Sequence, residues 1–267
     1  MTQTNPKKTN PTTKTGMNKP ELVRLNRFLA MAGIGSRRRC DQYISEGLVS
    51  VNGEVVDQLG VRIDPEKDVV KFDGETIESQ NDQIYILLHK PARTVTTAKD
   101  DRKRKTVLDL IATPQRLFPV GRLDFNTTGA LLITNDGDLA YHLIHPKFEV
   151  TKIYRVLLDS VIKPIDLHHF QNGVMLDDRK TAPCKATELR RMGNCSYMEV
   201  ELHEGRNRQI RRMFEQLGYK VEELHRINFA GLQVSDLKPG EWRELTKEEV
   251  HRLRKTVAEY KRQLMEE

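Results

Sequence analysis

The first patterned part of the chain has apolar residues at helical spacing. From residue 22, apolar side chains recur every three or four positions, with arginines between them on the opposite face. The apolar positions are Leu22, Leu25, Phe28, Leu29 and Ala32. Gly33 is expected to end this helix, and Ser36 is expected to cap a second helix that Gly47 closes. Two short helices are therefore predicted before residue 48.

Short β-prone runs follow the two helices. LVSVNGEVV, residues 48–56, contains two of them joined by Asn52-Gly53, which is a strong signal for a hairpin. Two further runs, GVRI and VVKFDG, complete a compact unit. We therefore assign residues 21–72 to a small N-terminal α/β domain. The polar, turn-prone residues 73–83 are assigned to a linker.

Strands dominate the pattern after the linker. IYILLHKP, residues 84–91, is an apolar run, and other strand-like runs recur as far as residue 234. Helical spacing appears singly, over residues 138–146, 206–218 and 248–267. Because helices and strands do not alternate regularly, the pattern favours an α+β fold with a mixed, largely antiparallel sheet over a doubly wound one. We assign residues 84–255 to this larger domain and residues 256–267 to the end of the C-terminal helix.

Several classes of protein are excluded by composition. No apolar run approaches the roughly 20 residues that a membrane span needs. The N-terminus lacks the apolar segment of a secretory signal. Cys40, Cys184 and Cys195 form no C-x-x-C pair, which argues against a disulfide framework and a zinc ribbon. We therefore expect a cytoplasmic protein.

The positive charge of the chain lies at its N-terminal end. Residues 1–20 contain four lysines, no acidic residue and no periodicity, which predicts a disordered basic tail. Residues 1–50 contain nine Lys or Arg and three Asp or Glu, so the whole net charge of +6 lies there. A polyanion such as RNA is the natural partner for that end, and solubility alone is the alternative.

Five arginines on the two predicted helices are candidate contacts to RNA phosphates. They are Arg24, Arg27, Arg37, Arg38 and Arg39. Three consecutive arginines at the start of a helix oppose the helix dipole, so their placement indicates that an anion binds there. A solvated helix face is the alternative interpretation.

Three clusters in the larger domain could carry chemistry. Asp124 lies in GRLDFNTTGALLITNDG, residues 121–137, and is either a turn cap or a catalytic carboxylate. Tyr154 in KIY could stack on a nucleobase, although a lone Tyr on a strand is more often part of the core. The third cluster, in EGRNRQIRRM, contains Arg206, Arg208, Arg211 and Arg212. These arginines could pair with Asp124 and hold RNA phosphates, or form a solvated face.

Other chemistries have little support in the sequence. His142 and His145 lie one helical turn apart, but we do not predict a metal site from this pair. The chain has no P-loop, no G-x-S-x-G elbow and no pair of carboxylates spaced for hydrolysis of a glycosidic bond.

Three segments together resemble the signature segments of the bacterial ribosomal-RNA pseudouridine synthases. They are GRLDFNTTGALLITNDGDLA, KIYRV and EGRNRQIRRM. The KP…TVTT…TVLDLI run at residues 90–111 and GEWRELTKEEVHRL at residues 240–253 are also similar to that family. The N-terminal layout resembles the S4-like RNA-binding domain shared by a small-subunit ribosomal protein, several RNA-modifying enzymes and a tyrosyl-tRNA synthetase.

The resemblance implies that the protein isomerises a uridine in ribosomal RNA to pseudouridine without a cofactor or metal. Such enzymes flip the uridine out of the RNA stack, break its N-glycosidic bond, turn the uracil and rejoin it through carbon. By the resemblance, Asp124 is the catalytic carboxylate, Tyr154 stacks on the target base and Arg211 pairs with Asp124. The residues that match neighbours shaping the Asp loop are Arg122, Thr128 and Gly129.

The resemblance also suggests partners. The NTTG turn, the NDGDLA run and GRNRQ favour large-subunit ribosomal RNA, with small-subunit ribosomal RNA as the alternative. We expect a monomer that binds ribosomal RNA or ribosome-assembly intermediates and no membrane. Further expected RNA contacts are Arg122, Arg206, Arg208 and Arg212. A catalytically idle ribosome-assembly factor is the alternative from another class, although the presence of Asp124, Tyr154 and Arg211 argues against it.

The chain departs from the family pattern at three places. Ala130 stands where Leu is usual, and Phe125 stands where Tyr or another large residue is common. We interpret both as changes in packing. Ala92-Arg93 replaces a more usual Gly after the Lys-Pro pair, which could alter that loop.

Overall fold

A computed structural model of the chain describes residues 22–78, 82–98, 100–177 and 179–266. It divides the chain into two compact units, Met1–Asn81 and Asp82–Glu267. The basic tail predicted at residues 1–20 lies outside the described residues.

The first unit contains the two predicted helices and a set of short strands. Its elements are β1 (Val23–Arg24), α1 (Leu25–Met31), α2 (Arg37–Ser45), β2 (Val49–Val51), β3 (Glu54–Val55), β4 (Arg62–Ile63), β5 (Val70–Phe72) and β6 (Glu75–Thr76). The Ser36 hydroxyl caps α2 by accepting the Arg39 N–H at 3.2 Å. Asn52 and Gly53 both have positive φ, as the tight turn between β2 and β3 requires.

The core of the first unit is formed by one face of each helix against the sheet. Leu25, Phe28 and Leu29 of α1 are buried against Cys40 and Ile44 of α2. Strands β3, β2, β5 and β6 form an antiparallel sheet in that order, and β1 pairs with β4. The helical spacing therefore marks Leu25, Phe28 and Leu29 correctly, whereas Leu22 is 48% exposed and precedes the helix, because Val23 and Arg24 form β1.

The predicted linker begins too early. Asp73 and Gly74 adopt positive φ and turn the chain from β5 into β6, which pairs antiparallel with β5. The Ile77 N–H then donates to the Val70 carbonyl oxygen at 2.9 Å. Residues 73–77 thus belong to the sheet of the first unit, because the polar Asp-Gly pair is a hairpin turn rather than the start of a linker.

The second unit is larger and mostly strands. Its elements are β7 (Tyr85–Lys90), β8 (Phe118–Pro119), β9 (Thr128–Thr134), α3 (Gly137–Ile144), β10 (Lys152–Leu158), α4 (Pro164–Gln171), β11 (Met175–Leu176), β12 (Arg179–Lys180), β13 (Lys185–Met192), β14 (Cys195–Leu202), α5 (Gln209–Gln216), β15 (Val221–Phe229), β16 (Leu232–Gln233), β17 (Trp242–Glu244) and α6 (Lys247–Glu266). Two single-turn 3₁₀ helices occur at Leu108–Leu110 and Pro146–Phe148.

The main sheet of the second unit is mixed and largely antiparallel, as predicted. Its strands follow the order β13, β14, β10, β15, β9, β7 and β17. Along this path, only β15 and β9 are parallel, and the other neighbours are antiparallel. The parallel pair lies in the middle of the sheet, so the start of β9 lies beside the C-terminal half of β15.

Successive side chains along the central strands point to opposite faces of the sheet, and both faces are buried. Leu87 and Leu132 pack on one face with residues of α3 and α6. Leu88 and Leu131 pack on the other face, together with Leu123. A further cluster fills the space between α4, α5 and the outer strands β10 and β14. A strand with both faces covered is apolar throughout, which explains the unbroken apolar run in β7 and β9.

The C-terminal boundary predicted at residue 255 falls inside a helix. Helix α6 is continuous over Lys247–Glu266, and both Leu253 and Val257 are buried in the core shared with α3. Residues beyond 255 therefore contribute to the larger unit. Across the described part of the chain, no helix has the length and apolar character needed to cross a membrane.

Candidate active site

Asp124 lies in the loop between β8 and β9, at the first position of a tight turn. The Thr127 N–H donates to the Asp124 carbonyl oxygen at 3.1 Å, which closes the turn through the main chain. The carboxylate projects from this turn with 30% of the side chain exposed. Asp124 thus has a turn position and a side chain open to a ligand, so the two interpretations of this residue are compatible.

A buried lysine stabilises the turn by hydrogen bonds to its main-chain carbonyl oxygens. Lys90, at the end of β7, has no exposed surface, and its ammonium donates to the carbonyl oxygens of Phe125 at 3.3 Å and Thr127 at 2.8 Å. A third bond reaches the Pro91 carbonyl oxygen at 2.9 Å. Burial lowers the pKa of Lys90 to about 8, although the negative charge of Asp124 opposes this shift.

Lys90 had no assigned role in the sequence analysis, although its position carries a signal. It is the last residue of the fully buried strand β7, two positions after the apolar run ends at Leu88 and directly before Pro91. A lysine in such a place needs buried acceptors, which the three carbonyl oxygens supply.

Gly129 allows β9 to approach β15 closely. Its φ is +111°, and a Cβ atom there would lie 2.2 Å from the Arg226 carbonyl oxygen. The adjacent Thr128 hydroxyl shares a 2.8 Å hydrogen bond with Nδ1 of His225 on β15. These contacts fix the start of β9 against β15, and so they fix the end of the Asp124 loop.

Two arginines face the Asp124 carboxylate. Arg211 Nε lies 4.0 Å from Asp124 Oδ2, and Arg208 Nη1 lies 3.9 Å from the same oxygen. Arg211 is 15% exposed and donates from Nη1 to the Val221 carbonyl oxygen at 2.7 Å, whereas Arg208 is 55% exposed. Burial and the nearby Arg208 lower the pKa of Arg211, and Asp124 raises it. The structure therefore places Arg211 beside Asp124, and it adds Arg208 as a second cation.

Tyr154 lies in the same cleft as the Asp124–arginine cluster. It is a half-buried residue on β10, and its ring packs where the cluster behind α5 meets the cluster around Leu123. The cleft is open, and the empty space within it, including the solvent at its mouth, is about 420 Å³. Its lining includes Arg122, Leu123, Asp124, Thr127, Tyr154 and Arg208. Asp124, Tyr154 and the arginines at the start of α5 thus converge on one opening.

Lys152, the first residue of KIY, is a half-buried cation close to this cleft. Its ammonium donates to the Val150 carbonyl oxygen at 2.6 Å and to the His203 carbonyl oxygen at 3.4 Å. Burial, with a contribution from Arg226, lowers the pKa of Lys152 to about 8, while Glu204 opposes the shift. Lys152 therefore ties the start of β10 to the loop after β14.

Arg206 and Arg212 are engaged within the protein. The Arg206 guanidinium donates to the carbonyl oxygens of Arg179 at 2.9 Å and Lys180 at 2.7 Å. Arg212 Nη2 lies 2.6 Å from Asp177 Oδ2. Arg206, in the loop that precedes α5, and Arg212, on α5 itself, thus both contact the β11–β12 hairpin. These two residues therefore position the hairpin, and their contact with RNA stays a prediction.

The other candidate RNA contacts differ in exposure. Arg122 is exposed at the rim of the cleft. In the first unit, Arg24 and the three arginines at the start of α2 are exposed, and Arg27 is half-buried. Arg39 stacks over the ring of Tyr43, with Cζ 4.6 Å from the ring centroid, and donates to Gln42.

The histidines of α3 have protein partners. His142 Nδ1 lies 2.6 Å from the Asp138 carbonyl oxygen, and its ring packs edge-on against Phe148. Within the described ranges, no group of three or more His, Cys, Asp or Glu side chains is placed to hold a metal ion.

Comparison with known proteins gives matches to both units. Residues 84–216 match the family model for RNA pseudouridylate synthase, and residues 23–70 match the model for the S4 domain. Among curated proteins, the ribosomal large subunit pseudouridine synthase B of Bacillus subtilis is 42% identical over 87% of this chain and 96% of its own length. An RNA pseudouridine synthase of Aquifex aeolicus is 40% identical over 88% of this chain and 95% of its own length.

Among solved structures, the crystal structure of a pseudouridylate synthase superimposes with a TM-score of 0.63 at 30% sequence identity. It covers 86% of this chain and 99% of its own chain. The similarity to these relatives extends over most of the chain, and the site described above lies within the matched residues 84–216. The chain therefore belongs to the RNA pseudouridylate synthase family and combines that catalytic domain with an N-terminal S4 domain.

Proposed function

We propose that this enzyme converts a uridine of large-subunit ribosomal RNA to pseudouridine, with Asp124 as the catalytic carboxylate. The observation that carries the proposal is that Asp124 and Tyr154 line one open cleft, with Arg211 4.0 Å from the Asp124 carboxylate. A carboxylate can act as a nucleophile, two guanidinium groups beside it can orient it, and an aromatic ring in the same cleft offers a surface for a nucleobase.

The reaction needs no co-reactant because it is an isomerisation. The bond between N1 of uracil and C1′ of the ribose breaks, and a bond between C5 and C1′ forms. A proton leaves C5 and another is gained at N1, so the atoms and electrons of substrate and product are the same. In this site, Asp124 takes part covalently, Tyr154 stacks on the turned base, and the Tyr154 hydroxyl is a candidate carrier for the proton.

The preference for large-subunit ribosomal RNA rests on the Bacillus subtilis relative, whose name states that target, and on the sequence around Asp124 and in GRNRQ. The S4 domain with its exposed arginines supports RNA as the substrate. We further propose that the enzyme acts as a monomer in the cytoplasm. Small-subunit ribosomal RNA is the competing target.

Tritium release tests the activity, and pseudouridine mapping tests the target. The purified enzyme should release tritium from large-subunit ribosomal RNA transcribed with 5-tritiated uridine, and it should release little from a small-subunit transcript. Ribosomal RNA from a strain that lacks the gene should lose one or more large-subunit pseudouridines. If the strain keeps all its pseudouridines but assembles ribosomal subunits slowly, the idle assembly factor is the correct function.

The arginines at the start of α2 provide a test of RNA binding. Replacing Arg37, Arg38 and Arg39 by Gln should weaken RNA binding and flatten its salt dependence, because each phosphate contact releases counterions. If all three contact single-stranded RNA, the slope of log K against log salt should become shallower by about 2.

A matched control removes the same charge elsewhere. Lys247, Arg252 and Lys255 are exposed on α6, so their replacement by Gln should leave the slope unchanged. An equal change of slope in both triple variants would show that overall charge, and not contact by α2, controls binding.

The hydrogen bonds of Lys90 to the turn that carries Asp124 should make activity sensitive to alkaline pH. The Lys90 ammonium fills three carbonyl contacts, and a neutral amine has only two N–H groups. Because the pKa of Lys90 is about 8, the rate constant for one turnover should fall as the pH rises through about 8. The stability of the fold should not fall together with the rate. The pKa of Lys90 is lower in the folded protein than the usual 10.5, so the unfolded chain binds more protons between about pH 8 and about pH 10.5. The contribution of Lys90 to the free energy of unfolding therefore rises over this range.

The measurement is the single-turnover rate and the thermal midpoint between pH 6.5 and 9.5. In Lys90→Arg the side chain keeps its charge, so the rate should be lower but flat across this range. Ionisation of the RNA bases is common to both proteins and cancels in the comparison. Because Lys152 has a pKa of about 8 as well, Lys152→Arg is measured in parallel. If the rate becomes independent of pH only in Lys152→Arg, the pH dependence belongs to Lys152.

A further inference from the structure

Glu204 is a second carboxylate in the wall of the cleft that contains Asp124, and the proposed reaction does not use it. It lies in the loop between β14 and α5, and its side chain is 18% exposed. Burying a carboxylate to this extent costs free energy unless donors surround it. The donors that bind Glu204 therefore indicate what it does.

The Glu204 carboxylate accepts hydrogen bonds from three different groups. Its Oε1 accepts the Ala182 N–H, in the loop between β12 and β13, at 3.1 Å and also accepts from Gln209 Nε2. Its Oε2 accepts from Nε of Arg206 at 3.3 Å. Glu204 thus joins the segment that follows the β11–β12 hairpin to the loop before α5 and to α5 itself.

Gln209, the first residue of α5, is held at both ends of its amide group. Its Oε1 accepts the Arg206 N–H at 2.9 Å, while its Nε2 donates to Glu204, and the residue is only 4% exposed. The N-cap residue, Arg208, has a φ of +49° and no hydrogen bond from its side chain to the helix. The pair of Glu204 and Gln209 therefore fixes the start of α5 in place of a capping side chain.

The fixed start of α5 determines where Arg211 lies. The helix contains only Gln209–Gln216, so a small shift of its first turn moves the side chains that follow. Arg211 Nε lies 4.0 Å from Asp124 Oδ2, and the Val221 carbonyl oxygen holds only Nη1 of the same guanidinium. Because the attraction between two charges depends on their distance, a displaced α5 weakens the contact with Asp124.

We propose that Glu204, through Gln209, sets the first turn of α5 so that Arg211 faces the catalytic carboxylate. Glu204 is then a positioning residue that acts on Arg211 and not on the uridine. The proposal rests on the proposed function, because the placement of Arg211 matters for turnover only if Asp124 carries out the chemistry.

A double-mutant cycle with Arg211 tests this role. Glu204→Gln keeps the size of the side chain but replaces one acceptor oxygen by a donor, so the three hydrogen bonds cannot all remain. The single-turnover rate should fall about tenfold, with the dissociation constant for RNA unchanged. In the Arg211→Met background no guanidinium is left to position, so Glu204→Gln should change the rate by no more than about twofold. In the Arg208→Met background the tenfold loss should persist.

The rates are compared at pH 6.5. Glu204 raises the pKa of Lys152 against the effect of burial, and that pKa is about 8. Removal of the Glu204 charge lowers the pKa of Lys152, so at higher pH a change in the protonation of Lys152 would be added to the effect on α5.

Glu249→Gln is the matched control. Glu249 also accepts from an arginine and from a main-chain N–H at the start of a helix, in its case Arg243 and Thr246 at α6. Helix α6 packs with α3 and not with α5. The control should lower the thermal midpoint of unfolding without slowing a turnover.

A second variant, Gln209→Met, keeps the proposal testable if Glu204→Gln does not fold. Met fills the space of Gln209 but makes neither hydrogen bond of its amide, so the rate should fall by a similar factor and again only while Arg211 is present.

The remaining outcomes overturn the proposal. If the losses of Glu204→Gln and Arg211→Met multiply, Glu204 acts independently of Arg211. An equal loss in Glu249→Gln would trace the defect to lower stability. An active wild-type enzyme whose rate does not depend on Glu204 or Gln209 overturns this proposal alone, whereas a wild-type enzyme that releases no tritium from any ribosomal RNA overturns the proposed function as well.

Discussion

Replacing Asp124 by Asn is expected to reduce the rate of pseudouridine formation by at least about 1,000-fold, because the proposed reaction depends on this carboxylate. The substitution keeps the size of the side chain and leaves the main-chain hydrogen bond between Asp124 and Thr127 in place. Since Lys90 also holds carbonyl oxygens of this turn, the loop should keep its shape. The measurement is tritium release under single-turnover conditions.

Measuring RNA affinity distinguishes a loss of catalysis in Asp124→Asn from a loss of RNA binding. Phosphate contacts supply most of the affinity of such complexes, so the dissociation constant of Asp124→Asn should stay within about threefold of wild type. Asp57→Asn, at an exposed position of the first unit, is the matched control and should keep full activity. Substantial turnover by Asp124→Asn would remove Asp124 from the mechanism.

The candidate site could be predicted only where local sequence and family pattern agree. Asp124 was found because its turn residues and the following apolar strand form a continuous signal. Arg211 was assigned to Asp124 by the resemblance, but Arg208 was grouped with the RNA contacts, although both lie about 4 Å from the same oxygen. Residue 208 adopts positive φ at the start of α5, and this conformation turns its side chain in a direction that spacing alone does not predict.

The other differences between the predicted and the observed site arise from contact partners that are distant in the sequence. Arg206 and Arg212 contact the β11–β12 hairpin, about 30 residues earlier in the chain. Lys90 contacts residues 35 and 37 positions later. From the sequence alone, such a charged side chain could equally face solvent, contact RNA or donate to a buried acceptor. The outcome depends on which segments the sheet brings together.

The fold was predictable where elements are long. The six longer strands of the main sheet and helices α3, α5 and α6 follow apolar patterns, so the sequence predicts their existence. The β11–β12 hairpin and β17 were not predicted, because runs of two or three residues carry no periodicity. Helix α4 begins with Pro164 and has only one fully buried residue, Phe170, so its apolar pattern is weak.

Replacing Arg211 by Met is expected to lower the single-turnover rate about 100-fold with little change in RNA affinity. Met fills much of the space of the Arg stem but removes the cation beside Asp124. The distances do not distinguish Arg211 from Arg208, because each lies about 4 Å from Asp124 Oδ2. Burial does distinguish them: water screens the 55% exposed Arg208, while the 15% exposed Arg211 acts through a less polar environment.

Arg208→Met is therefore the matched comparison, and its rate should fall by only about fivefold, with the larger part of its effect on RNA affinity at low salt. Arg211→Lys should lie between the two, because it keeps the charge but loses the planar group that reaches both Asp124 and the Val221 carbonyl oxygen. The order of rates is thus wild type, Arg208→Met, Arg211→Lys and Arg211→Met. A reversal of the two Met variants would make Arg208 the functional partner of Asp124. Arg211 would then serve only to hold α5 against β15, because its bond to Val221 is the contact that remains.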